Sequence, residues 1–291
     1  MSAENSIAFA TMVGDEPIFL PIWITYYSRF VDKSQLFILV DGMDRVLPPE
    51  VDGCQVMRLP AQVPGPGWDV ARWTMISAFV KTLLHRFDVV AFNDVDEILV
   101  LDPKFGTDLI AHLMRARDLG VISPFAIEVI HRTDHEPDPL NPALPILGQR
   151  RFGRLNASYC KPCVTSVPVN WTLGGHYADH PELHLDEALH LFHLRYVDHD
   201  YLLQRQASRT ALMVDKNVAG AGWSKGQQQM RDFLQSFIDA GPPEDTDFAF
   251  DWQRKRIARS WHQDEASGFW LHNKLHNRRT YQIPDRFFGL F

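Results

Sequence analysis

The sequence predicts an α/β fold with a mostly parallel central sheet, and three observations support this. Short runs of β-branched and apolar residues alternate with longer amphipathic stretches between residues 7 and 92. These short runs are apolar throughout, as in strands that are buried on both faces. Acidic residues follow several of them directly, at the carboxyl ends where open α/β sheets bind their ligands.

The first five elements can be placed from local patterns. Residues 6–13 are predicted to form a strand, and a helix follows to about Arg29. Two more buried strands are expected at residues 35–40 and 55–59. A loop rich in proline and glycine then leads into a helix at residues 69–87, whose apolar side chains recur at helical spacing.

The middle of the chain continues this alternation. A strand at residues 88–92 is expected to run on through a Glu97–Val100 continuation, and a helix is predicted at residues 107–119. Residues 121–130 are interpreted as a strand pair or one bent strand. Residues 133–147 contain four prolines and are predicted to form a long loop, of a kind that is often functional.

The last elements and the domain boundaries complete the prediction. We expect residues 1–210 to form the catalytic domain, with halves at 1–102 and 103–210, and residues 211–291 to add a lid loop and a helical extension. Two short strands are predicted within residues 157–169, and one longer strand at residues 188–195. A helix is predicted at residues 198–209, a glycine-rich lid at 218–226 and a final helix at 227–240.

Composition limits the class of protein. The chain has 291 residues, of which 45% are hydrophobic, enough for one large domain with a substantial core. A net charge of −7 argues against a general nucleic-acid-binding protein. Neither a transmembrane helix nor a signal peptide is expected, and the 3 cysteines do not form a disulfide framework. We therefore expect a cytoplasmic location.

The acidic motif after the predicted strand at residues 88–92 is the strongest candidate site. Asp94 and Asp96 are two residues apart, so in an extended chain their side chains point to the same side. Two converging carboxylates are costly unless a cation joins them, and Mg²⁺ or Mn²⁺ prefers carboxylate and phosphate oxygens. The motif predicts a metal–diphosphate site, and the alternative is an ordinary acidic turn.

Other candidate residues follow the first two strands. Asp41 ends the second strand and is expected either to bind a ribose or base or to form a simple Asp–Gly turn. The segment from Thr11 to Glu16 follows the first strand, where a nucleotide usually binds. It lacks the Gly-x-Gly-x-x-Gly pattern, so a dinucleotide site is not expected.

The second half of the chain contains histidines, cysteines and basic residues that are candidates for a functional role. A lone histidine is usually structural, but a group of six makes at least one functional histidine the expectation, with metal binding as one role. Cys160 and Cys163 have C-x-x-C spacing without a second pair, so neither a redox nor a zinc role is expected. Lys161 is predicted either to face a phosphate, together with nearby arginines, or to belong to a solvated basic face. The histidines and arginines are His176, His180, His184, His190, His193, His199, Arg150, Arg151 and Arg154.

Taken in order, several motifs resemble the family 2-like bacterial glycosyltransferases over about residues 7–210. The resemblance is to the opening segment, the D-D-G-S turn, the D-x-D-E-F metal motif and the W-x-x-G-x-H and L-x-H signatures of that family. Gly14–Asp15 departs from it, because the family usually has Asn before Glu16. The matching segments are residues 10–16 with 19–27, Val40–Gly42, Asn93–Ile98, Trp171–His176 and Leu191–Leu194.

The resemblance implies a glycosyltransferase A fold, in which a Rossmann-like sheet carries the nucleotide-sugar half and a smaller sheet lies on the acceptor side. It also implies Mn²⁺ or Mg²⁺ bound by Asp96, with Asp94 near the metal or the ribose and His193 completing the metal shell. Asp41 would lie near the base. The residues expected to contact the nucleotide-sugar donor are Thr11, Val13, Glu16, Asp41, Asp94 and Lys161.

The expected chemistry is metal-dependent transfer of a sugar to a glycan, lipid-linked or protein acceptor, as in polysaccharide biosynthesis, with inversion as the expected course. An inverting reaction needs a general base, for which Asp179 is the candidate and His176 and Glu128 are rivals. Lys161, or Lys216 and Lys225 of the lid, would add positive charge.

Two other functions stay open at this point. One is a histidine-rich metal-dependent hydrolase that uses water as the acceptor. The other is a non-catalytic scaffold in glycan assembly. The aromatic and basic tail at residues 252–291 also leaves open a peripheral contact with the inner face of the membrane, and its alternative is an ordinary C-terminal helix and strand.

Overall fold

A computed structural model of the chain describes residues 6–62, 65–212, 226–276 and 278–291. Its strands are β1 (Ile7–Val13), β2 (Leu36–Asp41), β3 (Gln55–Leu59), β4 (Val89–Phe92), β5 (Glu97–Leu101), β6 (Val121–Ile130), β7 (Phe152–Leu155), β8 (Val164–Thr165), β9 (Leu185–Tyr196), β10 (His262–Gln263), β11 (Trp270–Leu271) and β12 (Tyr281–Gln282). Its helices are α1 (Phe19–Tyr27), α2 (Trp68–Leu83), α3 (Leu109–Leu113), α4 (Ala116–Leu119), α5 (Ile146–Gln149), α6 (His199–Leu212), α7 (Gln227–Asp239) and α8 (Asp251–Arg259).

The first half of the chain forms the parallel part of the central sheet. β1 pairs in parallel with β2 on one side and with β4 on the other, and β2 pairs in parallel with β3. Their apolar runs fit this position, because every residue of β4 and nearly every residue of β1 is buried. The carboxyl ends of β1, β2 and β4 therefore lie at one edge of the sheet. The predicted α/β class, with helices flanking a central sheet, is confirmed.

The second half extends the sheet with mixed pairing. β8 joins β4 to β6 in antiparallel pairing, and the order continues through β7 to β12 at the far edge. β9 lies parallel to β6 and antiparallel to β5. β5 was expected to continue β4, but the chain turns at residues 93–96, where the Glu97 amide donates to the Asp94 carbonyl at 2.9 Å. β5 thus leaves β4 and pairs with β9 instead.

Several other predicted elements differ from the structure. The helix expected at residues 107–119 is broken into α3 and α4. Residues 121–130 form one continuous strand, β6. Only β8 forms within residues 157–169, because Ala157–Tyr159 is a 3₁₀ turn. The predicted lid, with Lys216 and Lys225, lies outside the described residues except for Gly226, which precedes α7.

Helix α1 anchors β5 behind the acidic turn. The Tyr27 ring stacks on Phe9 of β1 with centroids 4.3 Å apart, which fixes the helix on the sheet. The Tyr27 hydroxyl accepts a hydrogen bond from the Leu99 amide at 2.9 Å, and the Tyr26 hydroxyl donates to the Leu99 carbonyl at 3.0 Å. Both backbone groups of Leu99 are therefore held by one helix, so the start of β5 has a fixed position.

In the described part of the C-terminal segment, the last α-helix ends at Arg259, and a 3₁₀ turn forms at Asp285–Phe287. Beyond it the chain forms the short strands β10, β11 and β12, and β12 adds an edge to β7. Phe287 and Phe291 pack against Phe192 of β9. These aromatic residues are buried in the main core rather than exposed. Among the described residues, no helix is both long enough and apolar enough to cross a membrane.

Candidate functional site

The acidic turn follows β4 at the carboxyl edge of the parallel strands. Its shape is set by Glu97, whose side chain accepts a hydrogen bond from the Asp94 amide at 3.2 Å. The Asn93 side chain donates to the Glu97 carbonyl and closes the turn. Asp94 and Asp96 keep part of their side chains open to solvent, whereas Glu97 is fully buried. The turn therefore presents the two aspartates and keeps the glutamate inside.

Two cations bind the Asp94 carboxylate. Lys161 Nζ lies 3.3 Å from Oδ2, and an Arg72 guanidinium nitrogen lies 3.2 Å from Oδ1. Burial alone would raise the pKa of Asp94, but Lys161 and Arg72 together outweigh it and hold that pKa well below its usual range. Asp94 is consequently ionised and already paired on both oxygens.

Lys161 belongs to the interior of the turn. Its side chain is 3% exposed, and Nζ lies 2.5 Å from Glu97 Oε1. Burial would lower the pKa of Lys161, but Glu97 and Asp94 raise it above its ordinary value, so the ammonium form is retained. Burial raises the pKa of Glu97, and the Lys161 ammonium opposes that rise. The structure therefore excludes one of the two predictions for Lys161, namely that it belongs to a solvated basic face.

His193 is held by groups on two neighbouring strands and two turns. In the register of the sheet it lies opposite Glu97 of β5 and beside Glu128 of β6. Its Nδ1 is 3.2 Å from Glu128 Oε1, and its Nε2 is 3.9 Å from Asp96 Oδ2. The Tyr159 ring stacks on the imidazole with centroids 4.1 Å apart. The ring is thus fixed, with one nitrogen on a carboxylate and the other facing Asp96.

Glu128 has side-chain partners on both oxygens. Arg154 of β7 binds Oε2 at 2.5 Å, and His193 binds Oε1. Burial alone would raise the pKa of Glu128, yet Arg154 and His193 hold it at about 2. Glu128 is therefore an ionised carboxylate that orients His193. Arg154 is buried in this pair rather than facing a phosphate, and Arg150 is buried as well.

His176 lies near the same turn, on the glycine-rich segment. Its Nδ1 is 2.6 Å from the Ser158 carbonyl, which can only accept, so Nδ1 carries the proton. Burial, with the positive charge of Lys161 as the next cause, lowers the pKa of His176 to about 4. Gly174 has a φ of +73°, and a Cβ there would lie 2.6 Å from His176 Nε2. Only glycine allows the imidazole to lie this close.

Asp179 lies on an exposed loop away from these contacts. Its Oδ1 accepts from the Asn170 amide at 2.8 Å, and its Oδ2 accepts from the Asn170 side chain at 2.6 Å. Within the described residues, no hydrogen bond or ion pair joins Asp179 to the acidic turn. The structure thus gives Asp179 a loop-closing contact, and its role as a base stays a prediction.

The residues predicted to contact the donor from the first two strands and the segment after β1 lie toward the carboxyl ends of those strands. They differ in how far their side chains are buried. Thr11 and Val13 are buried, and in the described part of the chain the Thr11 hydroxyl has no hydrogen-bond partner. Glu16 is buried too, and it binds Arg205 and the Tyr201 hydroxyl of α6 and the Phe19 amide of α1. Asp41 Oδ1 accepts from the Gln62 amide at 3.1 Å.

The six histidines predicted as a group are dispersed in the fold. Only His176 and His193 lie near the acidic turn. His190 is buried beside Asp102, His184 pairs with Glu182, and His199 pairs with Asp200. His180 lies against Gly120. This arrangement offers no support for a histidine-rich hydrolase site.

Cys160 and Cys163 are both buried free thiols. Burial raises the pKa of Cys160 to about 12 and raises the pKa of Cys163 further, so both remain protonated at neutral pH. A protonated thiol is neither a nucleophile nor a metal ligand. Both cysteines therefore belong to the core.

Asp96 and His193 are the side chains that best fit a divalent ion. In the described residues, no group of three or more His, Cys, Asp or Glu side chains is arranged to hold a metal. Mg²⁺ often takes only one or two protein ligands and completes its shell with substrate phosphates. With ligands about 2.1 Å from the ion, two of them lie roughly 3 to 4 Å apart. The observed 3.9 Å between Asp96 and His193 fits this range.

Sequence reasoning missed the partners that organise this site. Arg72 and Tyr159 were not assigned to it, and Arg154 was named only as a possible phosphate contact, not as the partner of Glu128. Arg72 lies one helical turn after Asp69, on the helix that leads into β4, and this was an available signal. Tyr159 comes from a turn far along the chain, so no local pattern indicated its contact with His193.

Comparisons with known proteins add little to this description. The sequence matches no protein-family model and no curated protein. One solved structure, titled a crystal structure of a mycobacterial protein, is 24% identical, and the match covers 43% of this chain and 42% of that chain, with a TM-score of 0.30. The chain thus spans less than half the length of that protein, and a similarity at this level supports no conclusion about fold or function.

Proposed function

We propose that the protein is a metal-dependent glycosyltransferase with a glycosyltransferase A fold. It moves a sugar from a nucleotide-sugar donor to a glycan, lipid-linked or protein acceptor. The observation that carries the proposal is the pairing of Asp96 with His193 at the carboxyl end of β4, where His193 is oriented by Glu128. A histidine that gives one nitrogen to a carboxylate and presents the other to a second acid is typical of metal sites.

Asp96 and His193 would hold Mn²⁺ or Mg²⁺, which when bound supplies Lewis-acid stabilisation of the departing nucleoside diphosphate. Glu128 fixes the ring and keeps the proton on Nδ1, so that Nε2 presents its lone pair toward Asp96. Arg154 neutralises the Glu128 carboxylate. Together these buried residues preorganise the two ligands before the donor binds.

The cations at Asp94 have different roles in this proposal. Lys161 is enclosed between Asp94 and Glu97, so it positions the acidic turn. The Arg72 side chain is 18% exposed and lies on the open side of Asp94. Arg72 is therefore the cation that can reach the donor phosphates, where a planar guanidinium binds two oxygens at once. This assigns the predicted phosphate contact to Arg72 and a positioning role to Lys161.

Among the three candidate bases, the geometry favours His176. Its Nδ1–H is held by the Ser158 carbonyl, which leaves Nε2 as the acceptor. A pKa of about 4 keeps the ring neutral at physiological pH, so Nε2 carries a lone pair rather than a proton. Glu128 is engaged on both oxygens, and Asp179 is held by Asn170.

For the location of the protein, we propose the cytoplasm. The free thiols of Cys54, Cys160 and Cys163 are compatible with a reducing compartment. A peripheral contact with the inner face of the membrane would have to use residues other than Phe287 and Phe291, because these are buried in the core.

The proposal is tested with a panel of nucleotide sugars and Mn²⁺. We expect one donor to raise the thermal midpoint of the protein only when Mn²⁺ is present, and to be consumed when an acceptor is added. Asp96→Asn should abolish the Mn²⁺-dependent shift, whereas Asp44→Asn, at an exposed acid of the β2–β3 loop, should not. If no donor produces a Mn²⁺-dependent shift, the transferase proposal fails.

A further inference from the structure

A basic groove lies on α8, in a segment to which the proposed transferase site assigns no role. The helix places an aromatic residue and three cations at positions i, i+3, i+4 and i+7, which fall on one face. This face borders a cavity of about 430 Å³. The groove is lined by Trp252, Lys255, Arg256, Arg259, Ser260 and Asn273.

The cations of the groove have no acidic partners in the described part of the chain. Lys255, Arg256 and Arg259 make no ion pair there, although the chain as a whole carries a net charge of −7. Some other surface cations of this protein are paired, as Arg279 is with Glu244. A cluster of unpaired positive charge on an acidic protein attracts anions selectively to that place.

Trp252 gives the groove an apolar wall. Its side chain is among the large hydrophobic groups left exposed, at 59%. The Arg256 guanidinium lies 5.2 Å from the indole centroid, over one part of the ring system. An exposed indole beside hydroxyl, amide and cationic groups offers both a stacking surface and hydrogen-bond donors to a polar ring.

The opposite face of α8 explains why this face is turned outward. Ile257 is buried in the main core. Arg254 lies over the Phe125 ring at 4.6 Å and donates to the Glu187 carbonyl at 3.0 Å. The helix is thus fixed on the starts of β6 and β9. Glu187 is six residues before His193, a distance of roughly 20 Å along a strand, so the groove is separate from the acidic turn.

We propose that this groove binds an acidic saccharide chain. A sugar ring stacks on Trp252, its carboxylates or other anionic substituents pair with Lys255, Arg256 and Arg259, and its hydroxyls bond to Ser260 and Asn273. A concave, charged groove suits a discrete chain better than a lipid surface, because interfacial helices bind membranes through a projecting apolar face. A role as a holding site for a growing acceptor rests on the proposed transferase function, but the binding itself does not.

The test measures binding to the full-length protein without donor or metal. An oligogalacturonate is the probe, a neutral malto-oligosaccharide of equal length is the uncharged comparison, and vesicles of phosphatidylcholine with or without phosphatidylserine test the membrane. We expect the oligogalacturonate to quench the indole fluorescence and to bind more weakly as salt is added. Arg259→Gln should weaken binding about tenfold, since a hydrogen-bonded charge is lost.

Matched variants decide the outcome. Arg86→Gln removes an exposed arginine at the end of α2, outside the groove, and should leave the affinity unchanged. Trp252→Ala should weaken binding while the thermal midpoint stays the same, because the residue is exposed. The proposal is overturned by equal binding of the neutral chain, by equal loss in Arg86→Gln, by no loss in Trp252→Ala, or by binding to anionic vesicles alone. Since no step uses a nucleotide sugar, failure here leaves the transferase proposal standing.

Discussion

Two buried glutamates near the end of β6 show how differently this fold treats the same side chain. Glu128 is 1% exposed, with Arg154 and His193 on its oxygens, and they hold its pKa at about 2. Glu136 is 8% exposed, and its Oε1 accepts from the Arg151 amide at 2.6 Å. In the described residues its Oε2 has no partner, and burial raises its pKa to about 7.

The surroundings of the two residues explain the contrast. Glu128 lies between the Arg154 and His193 side chains, and it orients His193 at the carboxyl edge of the parallel strands. Glu136 belongs to the proline-rich loop, which is fastened to the body by buried arginines. Arg132 donates to the Phe237 and Gly241 carbonyls, and Arg150 donates to the Val197 carbonyl at 2.5 Å. The loop predicted as a functional segment is therefore tied down by internal bonds, whereas the acidic turn keeps groups available for a ligand.

The largest effect is expected from removing the Arg154 side chain that pairs with Glu128. Arg154→Met leaves the Glu128 carboxylate buried with the His193 imidazole as its remaining partner, which should lower the free energy of unfolding by about 3–5 kcal/mol. Arg151→Met is the matched control, because that side chain is 57% exposed, and it should change stability by less than about 0.5 kcal/mol. Urea denaturation measures both, and equal losses would contradict the distinction.

Asp96→Asn tests the open edge without disturbing the interior. The side chain makes no hydrogen bond within the described residues, so the free energy of unfolding should stay within about 0.5 kcal/mol of wild type. Transfer from the donor found in the screen should fall by about a hundredfold or more, because a ligand of the catalytic ion is lost. Activity near wild type in a folded Asp96→Asn protein would remove Asp96 from the site.

Glu136→Gln tests the raised pKa of the other glutamate, through the dependence of stability on pH. A carboxyl group whose folded pKa is raised contributes stability below its unfolded pKa of 4.5 and loses it as the pH rises through about 7. Wild type should therefore lose about 2–3 kcal/mol more than the variant between pH 4.5 and 8. Arg150, Arg151 and His131 face this group and are the same residues in both proteins, so the difference between the two curves reports Glu136. Parallel stability curves would show that Glu136 does not titrate in this range.

Gly174→Ala is expected to lower the free energy of unfolding less than Arg154→Met does. The substitution places a Cβ 2.6 Å from His176 Nε2 at a φ of +73°, and it should cost about 1–2 kcal/mol and displace the imidazole. Gly268→Ala has nearly the same φ, +76°, with nothing within 4 Å, so it measures the backbone cost alone. The His176 resonance in NMR should shift in the first variant and not in the second.

The sequence predicted the parallel part of the fold well because local patterns decide it. β3 was placed at its observed bounds, and β1, β2, β4 and α2 were placed within a few residues. The chain reversal after Phe92 was missed, since Glu97–Leu101 is as apolar as a continuing strand and its pairing with β9 is a long-range contact. Likewise, Thr107–Leu119 has helical spacing, and no local signal marked the break between α3 and α4.

The candidate site likewise combines residues that local motifs indicated with long-range contacts that they did not indicate. Asp94, Asp96, His176 and His193 were named from motifs, and Glu128 was named as a rival candidate for the base. The structure brings all five to one region. The pairing of Lys161 with Asp94 and Glu97 depends on where the turn after Tyr159 packs, and neither of the two predictions for Lys161 included it. The metal, the donor and the choice among the bases remain predictions.

The position of β12 also bears on how the chain is made. β7 keeps an unpaired edge until Tyr281 and Gln282 arrive, and Phe287 completes a core whose other members are synthesised much earlier. While these late residues are still inside the ribosome, the nascent domain exposes that edge and an incomplete apolar surface. Such species are the ones that associate with one another or recruit chaperones.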